Sequence, residues 1–534
     1  MDHLLKRRVF HSPRALIACL GTIQFVIPLV YIAGGERSIN AFLTNDDTYY
    51  YLQTAWNAGH LGFVTFDGIN PTNGVQFLWF SILYGLTFLA DDKFAFLRIS
   101  STVAVALTCL PYGVFWTLAD GTWKARQSLV AAGMALLWFL ICAYRPNQYL
   151  VGLESALHAS IIWAAVLQYI RIYRQLRLGT ARSSSVLLLV VLLIMNTWTR
   201  LDSFGLSASF LALLLLTVDG RLNPGAAPRA PSLPARTYVT GAAAVAIGAA
   251  ALFGFFQLAG GSLLPVSALV KAHYADRFSL GAFYNWSLVL FPLRIPGANL
   301  LNVLGIVAMF ASLGTLFRMP VEIGQDDRAA LRLVGIALGV SLVIHSIVTF
   351  GMFRYYFFWY LSATFVYWTI VLAFFSVDLM MRRAQRYGAL ATLAFVAVVS
   401  IVAIWWLKES PNDLAATRYD VAKWMDANLE EDAIVGSFNA GQIGFFSNRS
   451  VVNLDGLINH VSYFENVIRD ESPAALAAYI DRMGIEYVVD HNAGLGRGVI
   501  EREFATLREF PLASGGSVKV MKRVSPASRP APAQ

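Results

Sequence analysis

Two adjacent carboxylates follow the first apolar stretch of the chain. Asp46 and Asp47 begin the segment NDDTYYYLQTAWNAGHLGFVTFDGINPTNGVQFLW, which runs from residue 45 to 79. A carboxylate can act as a general base and take the proton of an attacking hydroxyl group. Asn45 could instead cap a short helix whose dipole the two acids complement. The pair alone leaves both interpretations open.

A third acid has a similar placement. Glu154 in RPNQYLVGLESALHA precedes an apolar stretch that begins near Leu157. Acidic sites that face one cavity could supply a general base and a second group that orients an acceptor. They could also hold a divalent metal such as Mg or Mn, for which Asp47 and Glu154 are the candidate ligands. The histidines show no metal-ligand spacing; they include His60, His158, His273 and His345.

Basic side chains accompany these acids. Lys271 lies in GGSLLPVSALVKAHY, Arg354 and Tyr355 lie in FGMFRYYFFWY, and Arg200 lies in NTWTRLDSFG. Arginine grips phosphate with a planar fork, and lysine neutralises it as a point charge, so we predict that these residues bind a phosphate. Two other roles stay open: Arg354 could snorkel at a helix end, and Arg200 could pair with Asp202.

The residues around these side chains are unusually apolar. Of the 534 residues, 57% are hydrophobic and only 14% are charged, and the mean hydropathy is +0.56. Apolar stretches of about 20 residues match the thickness of a bilayer, and the basic residues cluster in short loops between them. The pattern predicts an α-helical polytopic membrane protein with about 11 crossings and a cytoplasmic N-terminus. The predicted crossings are residues 15–34, 94–118, 127–144, 157–173, 185–199, 204–218, 238–258, 299–317, 333–350, 356–378 and 388–407.

The domain organisation follows from the same pattern. We predict a transmembrane domain at 1–408 with external loops at 35–93, 145–156 and 259–298. The apolar segment 76–90 is short for a crossing and is predicted to be re-entrant or interfacial. Residues 409–525 are predicted to form a small extracytoplasmic α/β domain, and 526–534 a disordered tail. In this domain NAGQIGFFSNRS is predicted to be a turn rather than a phosphate cradle, and Asp455 in VVNLDG is a candidate for a specific role.

Several of these motifs resemble the GT-C superfamily of membrane glycosyltransferases, in particular its bacterial arabinofuranosyltransferase-like and mannosyltransferase-like branch. The resemblance rests on the acidic pair Asp46 and Asp47 and on the second acidic motif at Glu154. It extends to NPTNG (70–74), TRLDS (199–203), LLPVSALVK (263–271), RYY (354–356), GSFNAGQIGFFSNRSVVNLDGLIN (436–459) and GIEYVVDH (484–491). Members use sugars linked to a polyprenyl phosphate.

This resemblance implies an inverting glycosyltransferase that moves a hexose or pentose from a polyprenyl-phosphate carrier to a cell-envelope acceptor. The acceptor would be a glycan, glycolipid or protein at the outer face of the bacterial inner membrane. The position of Asp46 in the resembling motif implies that Asp46 is the general base. A lipid-linked saccharide flippase or ligase and a secondary transporter remain alternatives. A transporter built from inverted halves should contain internal repeats, and the sequence contains none of sufficient strength.

Overall fold

Helices dominate the first three-quarters of the chain. The computed structural model describes residues 13–42, 46–119, 125–144, 152–218, 235–275, 299–318, 326–349, 360–383, 413–491, 497–513 and 515–524. The helices up to residue 383 are α1 (Pro13–Ala33), α2 (Glu36–Phe42), α3 (Asp46–Leu61), α4 (Phe77–Thr87), α5 (Lys93–Ala119), α6 (Ala125–Tyr144), α7 (Ser155–Arg177), α8 (Ser183–Thr199), α9 (Phe204–Val218), α10 (Ala235–Gly260), α11 (Val266–His273), α12 (Asn299–Arg318), α13 (Asp326–Thr349) and α14 (Ser362–Arg383).

Five of these helices are long and apolar enough to cross a membrane. These helices are α1, α5, α7, α10 and α13. Their apolar spans are Pro13–Ala33, Lys93–Ala119, Ser155–Arg177, Val239–Gly260 and Ala329–Ile347. Described helices overlap ten of the predicted crossings, whereas 388–407 lies outside the described residues. Helix α4 has 11 residues. At about 1.5 Å per residue it is much shorter than the roughly 30 Å of hydrocarbon in a bilayer.

A five-stranded sheet with helices forms the C-terminal part. Its elements are α15 (Asp413–Asn428), β1 (Ile434–Ser437), α16 (Ala440–Phe446), β2 (Ser450–Asn453), α17 (Val461–Tyr463), α18 (Pro473–Met483), β3 (Tyr487–Asp490), α19 (Arg497–Glu503), β4 (Phe504–Pro511) and β5 (Ser517–Arg523). The strand order is β2-β1-β3-β5-β4. Strand β1 pairs in parallel with β2 and β3, and β5 pairs antiparallel with β3 and β4.

Local signals explain most of these elements. Ser472 caps α18 by accepting the Ala475 N–H at 3.1 Å, and Gly484 ends the helix at a φ of 64°. The predicted strands are observed as β1, β2, β3 and β5, whereas β4 was not predicted. The prediction of a turn in NAGQIGFFSNRS was wrong for its first part, which forms α16. Its helical residues are fully buried against other elements, and that burial outweighs the low helix propensity of its glycines.

The C-terminal part shares a hydrophobic core with helix α3. Tyr49 of α3 packs against Phe445 and Phe446 of α16, with ring centroids 5.2 and 5.0 Å away. Backbones also meet closely here, because a Cβ atom at Gly441 would clash with the backbone oxygen of Asp46. Gly74 faces the backbone oxygen of Leu457 in the same way. The sheet region is therefore packed directly onto the segment that carries the acidic pair.

The close approach at Gly441 is testable by adding a methyl group. Gly441→Ala should force α16 away from α3 and destabilise the protein by about 1–3 kcal/mol, the usual range for overpacking. Gly498→Ala is the matched control, because nothing lies within 4 Å of a Cβ atom on this helical glycine. Thermal unfolding of the detergent-solubilised protein measures both changes. An equal effect of the two substitutions would contradict the packing described here.

Candidate active site

Residues from six separate segments line one small cavity. Its volume is about 50 Å³, and its polar and aromatic lining includes Asp47, Tyr50, Tyr51, Glu154, Lys271 and Tyr360. Leu457 and Ile458 of the C-terminal part also line it. Three of the residues predicted from the sequence, Asp47, Glu154 and Lys271, therefore meet at one place. From Asp47 to Lys271 the three span more than 200 positions of the chain.

Asp47 is the carboxylate of the acidic pair that faces this cavity. It lies in the first turn of α3. Burial raises the pKa of its carboxyl group to about 6, and the charges of Asp46 and Glu154 act in the same direction. Lys271 and Arg418 oppose the shift. A carboxylate with a pKa near neutrality is well suited to accept a proton.

Asp46 makes a different set of contacts. Its carboxylate accepts hydrogen bonds from the backbone N–H groups of Gln442 at 2.9 Å and Gly441 at 3.3 Å. Arg418 of α15 lies 3.4 Å from the same carboxylate. These partners all belong to the C-terminal part. Asp46 thus holds the N-terminus of α16 against α3, and we call this set of contacts the Asp46 clamp.

Glu154 is held by an arginine. It is 3% exposed, and its carboxylate accepts a hydrogen bond from Arg200 Nη1 at 3.1 Å. Arg200 Nη2 also lies 2.5 Å from Asp202. The ion pair with Asp202 that the sequence left open is therefore present, and the same guanidinium orients Glu154. The Cζ atom of Arg200 lies 4.5 Å from the ring centre of Tyr360.

Lys271 reaches the cavity from α11. Its ammonium group donates a hydrogen bond to the hydroxyl of Tyr360. Burial lowers the pKa of Lys271, but Tyr360 and the carboxylates of Asp47 and Glu154 raise it more, so the net shift is upward. Lys271 therefore stays protonated, and it places a fixed positive charge beside two carboxylates.

Asn73 of the NPTNG motif positions the helix that carries Lys271. Its side-chain amide donates to the backbone oxygens of Phe256 at 3.0 Å and Leu264 at 3.1 Å. Its Oδ1 accepts the backbone N–H of Val266, the first residue of α11, at 2.8 Å. One side chain thus ties the end of α10 to the start of α11. The resemblance marked this motif, but the sequence did not reveal its partners.

Some predicted groups lie outside the described residues. These are Arg354 and Tyr355, together with Asn45, the alternative cap of α3. Among the described residues no three His, Cys, Asp or Glu side chains are grouped to hold a metal. Asp47 and Glu154 stay the candidate ligands for Mg or Mn, because Mg often uses only one or two protein carboxylates. Lys271 already provides positive charge at this position.

Comparisons with known proteins concern the fold. Residues 409–525 match a family model described as a domain of unknown function (DUF8728). No curated protein matches the chain. ArnT from Cupriavidus metallidurans, solved bound to undecaprenyl phosphate, is similar with a TM-score of 0.57 at 12% identity, over 97% of this chain and 99% of that one. The archaeal oligosaccharyltransferase AglB from Archaeoglobus fulgidus, solved with an inhibitory peptide and a dolichol-phosphate, gives a TM-score of 0.49 at 12% identity, over 99% of this chain and 75% of that one.

The similarity to ArnT covers nearly the full length of both chains and therefore includes the C-terminal sheet region. ArnT is a GT-C glycosyltransferase. The resemblance to the GT-C superfamily is confirmed at the level of the fold, which this chain shares with ArnT, whereas the arabinofuranosyltransferase-like and mannosyltransferase-like branch stays a prediction.

Proposed function

We propose that the protein is an inverting glycosyltransferase that moves one sugar, a hexose or a pentose, from a polyprenyl-phosphate carrier to an acceptor in the cell envelope. The acceptor is a glycan, a glycolipid or a protein. The observation that carries the proposal is the convergence of Asp47, Glu154 and Lys271 on one cavity. The similarity of the fold to ArnT supports it, because ArnT was solved bound to undecaprenyl phosphate.

In the proposed reaction an acceptor hydroxyl attacks the anomeric carbon of the sugar, and the bond from that carbon to the phosphate oxygen breaks. The hydroxyl proton passes to Asp47. Polyprenyl phosphate leaves with one additional negative charge, and Lys271 stabilises that charge in a site shielded from water. Glu154, held by Arg200, orients the acceptor. A single displacement inverts the configuration at the anomeric carbon.

The geometry favours Asp47 over Asp46 as the base. Both hydrogen bonds to the backbone of α16 and the contact with Arg418 engage the carboxylate of Asp46. Asp47 instead lines the cavity. We therefore propose that Asp46 assembles the site and that Asp47 performs the proton transfer. Arg354 and Tyr355 stay proposed contacts of the lipid phosphate.

The two acids should respond differently to neutral substitution. Asp47→Asn should lower the turnover number by about 10²–10⁴-fold, the usual cost of losing a general base, with little change in thermal stability. Asp46→Asn should mainly destabilise the protein, by about 1–3 kcal/mol, because charged hydrogen bonds to α16 are lost. Turnover is measured with a panel of radiolabelled undecaprenyl-phosphate hexoses and pentoses in membranes that contain the protein.

The same experiment separates the alternative functions. A flippase moves its lipid without a base, so Asp47→Asn would leave its transport rate unchanged. Normal sugar transfer by Asp47→Asn, with Asp46→Asn inactive, would return the base to Asp46. If the wild-type protein transfers sugar from none of the donors, the proposed function as a whole is contradicted.

The pH profile should report the titration of Asp47. Because the base works in its ionised form, kcat/KM should fall tenfold per pH unit as the pH drops below about 6. Lys271 and Arg418 lower this pKa, whereas Asp46 and Glu154 raise it. Lys271→Gln should therefore raise the pKa of Asp47. The acidic limb of the kcat/KM profile, measured on the activity that this variant retains, should move to higher pH. A limb that stays in place in this variant would contradict the assignment of the base.

We also propose that the site lies on the extracytoplasmic side, in a bacterial inner membrane, with the N-terminus in the cytoplasm and about 11 crossings. Basic residues in the short loops support this orientation. A reporter enzyme that is active only outside the cytoplasm should be active when fused after Glu409 and silent when fused near Arg229. The reverse pattern would place the proposed catalytic groups on the wrong side of the membrane.

A further inference from the structure

Tyr50 lies one helical turn after Asp47 and lines the same cavity. Residues three apart on a helix share a face, so their side chains are neighbours. The Tyr50 hydroxyl is not held by its own helix. It donates to Asp455 Oδ2 at 3.2 Å and accepts from Asn453 Nδ2 at 3.2 Å. Both partners belong to the C-terminal part, about 400 positions away.

The turn that follows β2 is built around the same two side chains. Asn453 Oδ1 accepts the backbone N–H of Gly456 at 2.9 Å, and Asp455 Oδ1 accepts that of Leu457 at 2.8 Å. Leu457 and the following residue line the cavity. The residues that hold the Tyr50 hydroxyl thus also shape one wall of the cavity.

The hydrogen-bonding capacity of a tyrosine limits what Tyr50 can do. A phenol has one proton to donate and two lone pairs that accept. Burial raises the pKa of Asp455 to about 7, so its carboxyl group is ionised above that pH. In the ionised form Asp455 only accepts, so Tyr50 donates its proton to it, and Asn453 occupies one lone pair. The second lone pair is then available to a donor in the cavity. Among substrate groups the matching donor is a hydroxyl, and sugars carry several.

We propose that Asp455 and Asn453 are positioning residues that fix Tyr50 as a hydrogen-bond acceptor for a sugar hydroxyl bound beside Asp47. This inference rests on the proposed function and adds a role for the region of unknown function, which becomes one side of the sugar site. Sites that hydrogen-bond a substrate hydroxyl discriminate strongly against analogues that lack it. The C-terminal part would therefore help to select the sugar.

Single and double variants test this arrangement on the donor that the wild-type protein uses. Tyr50→Phe removes one oxygen atom and should raise KM by about 5- to 50-fold, as expected for one lost hydrogen bond to substrate in a buried site. Asp455→Asn should raise KM in the same direction. The double variant should be no worse than Tyr50→Phe alone, because Asp455 acts through Tyr50.

Asp426→Asn is the matched control. Asp426 lies in the same part of the chain, but its carboxylate accepts from the backbone N–H of Asn448 at 2.7 Å, away from Tyr50. It should leave KM unchanged. Thermal midpoints measured in parallel identify any variant that unfolds, and if Asp455→Asn unfolds, KM of Tyr50→Phe decides alone.

An unchanged KM in Tyr50→Phe would overturn the inference, and so would an additive effect of the two substitutions. Either result leaves the proposed function intact if Asp47→Asn is inactive. A second readout is the donor panel: Tyr50→Phe should reduce the preference between the wild-type donor and its deoxy analogues. An undiminished preference would contradict a contact with a sugar hydroxyl.

Discussion

The Asp46 clamp is the interaction on which the rest of the site depends. One carboxylate joins the start of α3 to the start of α16 and to Arg418 of α15. Hydrogen bonds that involve a charged group are shorter and stronger than neutral ones. Because Asp47 is the next residue on α3, the clamp also fixes where the cavity carboxylate points. Leu457 and Ile458 of the same C-terminal part form one wall of the cavity.

Patterns within the sequence predicted much of the architecture. Hydropathy and basic loops located most of the described helices, and local caps such as Ser472 and Gly484 bounded α18. The wrong prediction of a turn where α16 forms has a physical cause. Gly441 and Gly444 argue against a helix locally, and the group that satisfies its N-terminus is Asp46, nearly 400 positions earlier. Partners at such separation leave no local signal.

The candidate site was predictable in composition but not in geometry. The sequence identified the acidic pair, Glu154 and Lys271. It could not tell which member of the pair faces the cavity. Adjacent residues on an α-helix point about 100° apart, so one acid meets the C-terminal part and the other meets the cavity, and the sequence does not show which element lies on which side of α3. Arg200 illustrates the same limit. Its nearby acid Asp202 was an evident partner, whereas the contact with Glu154 spans 46 positions.

The separation between Asp46 and Gln442 also bears on how the protein is made. Asp46 emerges from the ribosome early, but its partner in α16 lies 396 residues later. At a synthesis rate of about 5–20 residues per second, the carboxylate waits roughly 20–80 s for its partner. During that interval the nascent chain has its acidic pair without the wall that completes the cavity. Maturation of the site is therefore a late event of biogenesis, and a chain truncated before residue 440 would insert helices without assembling the cavity.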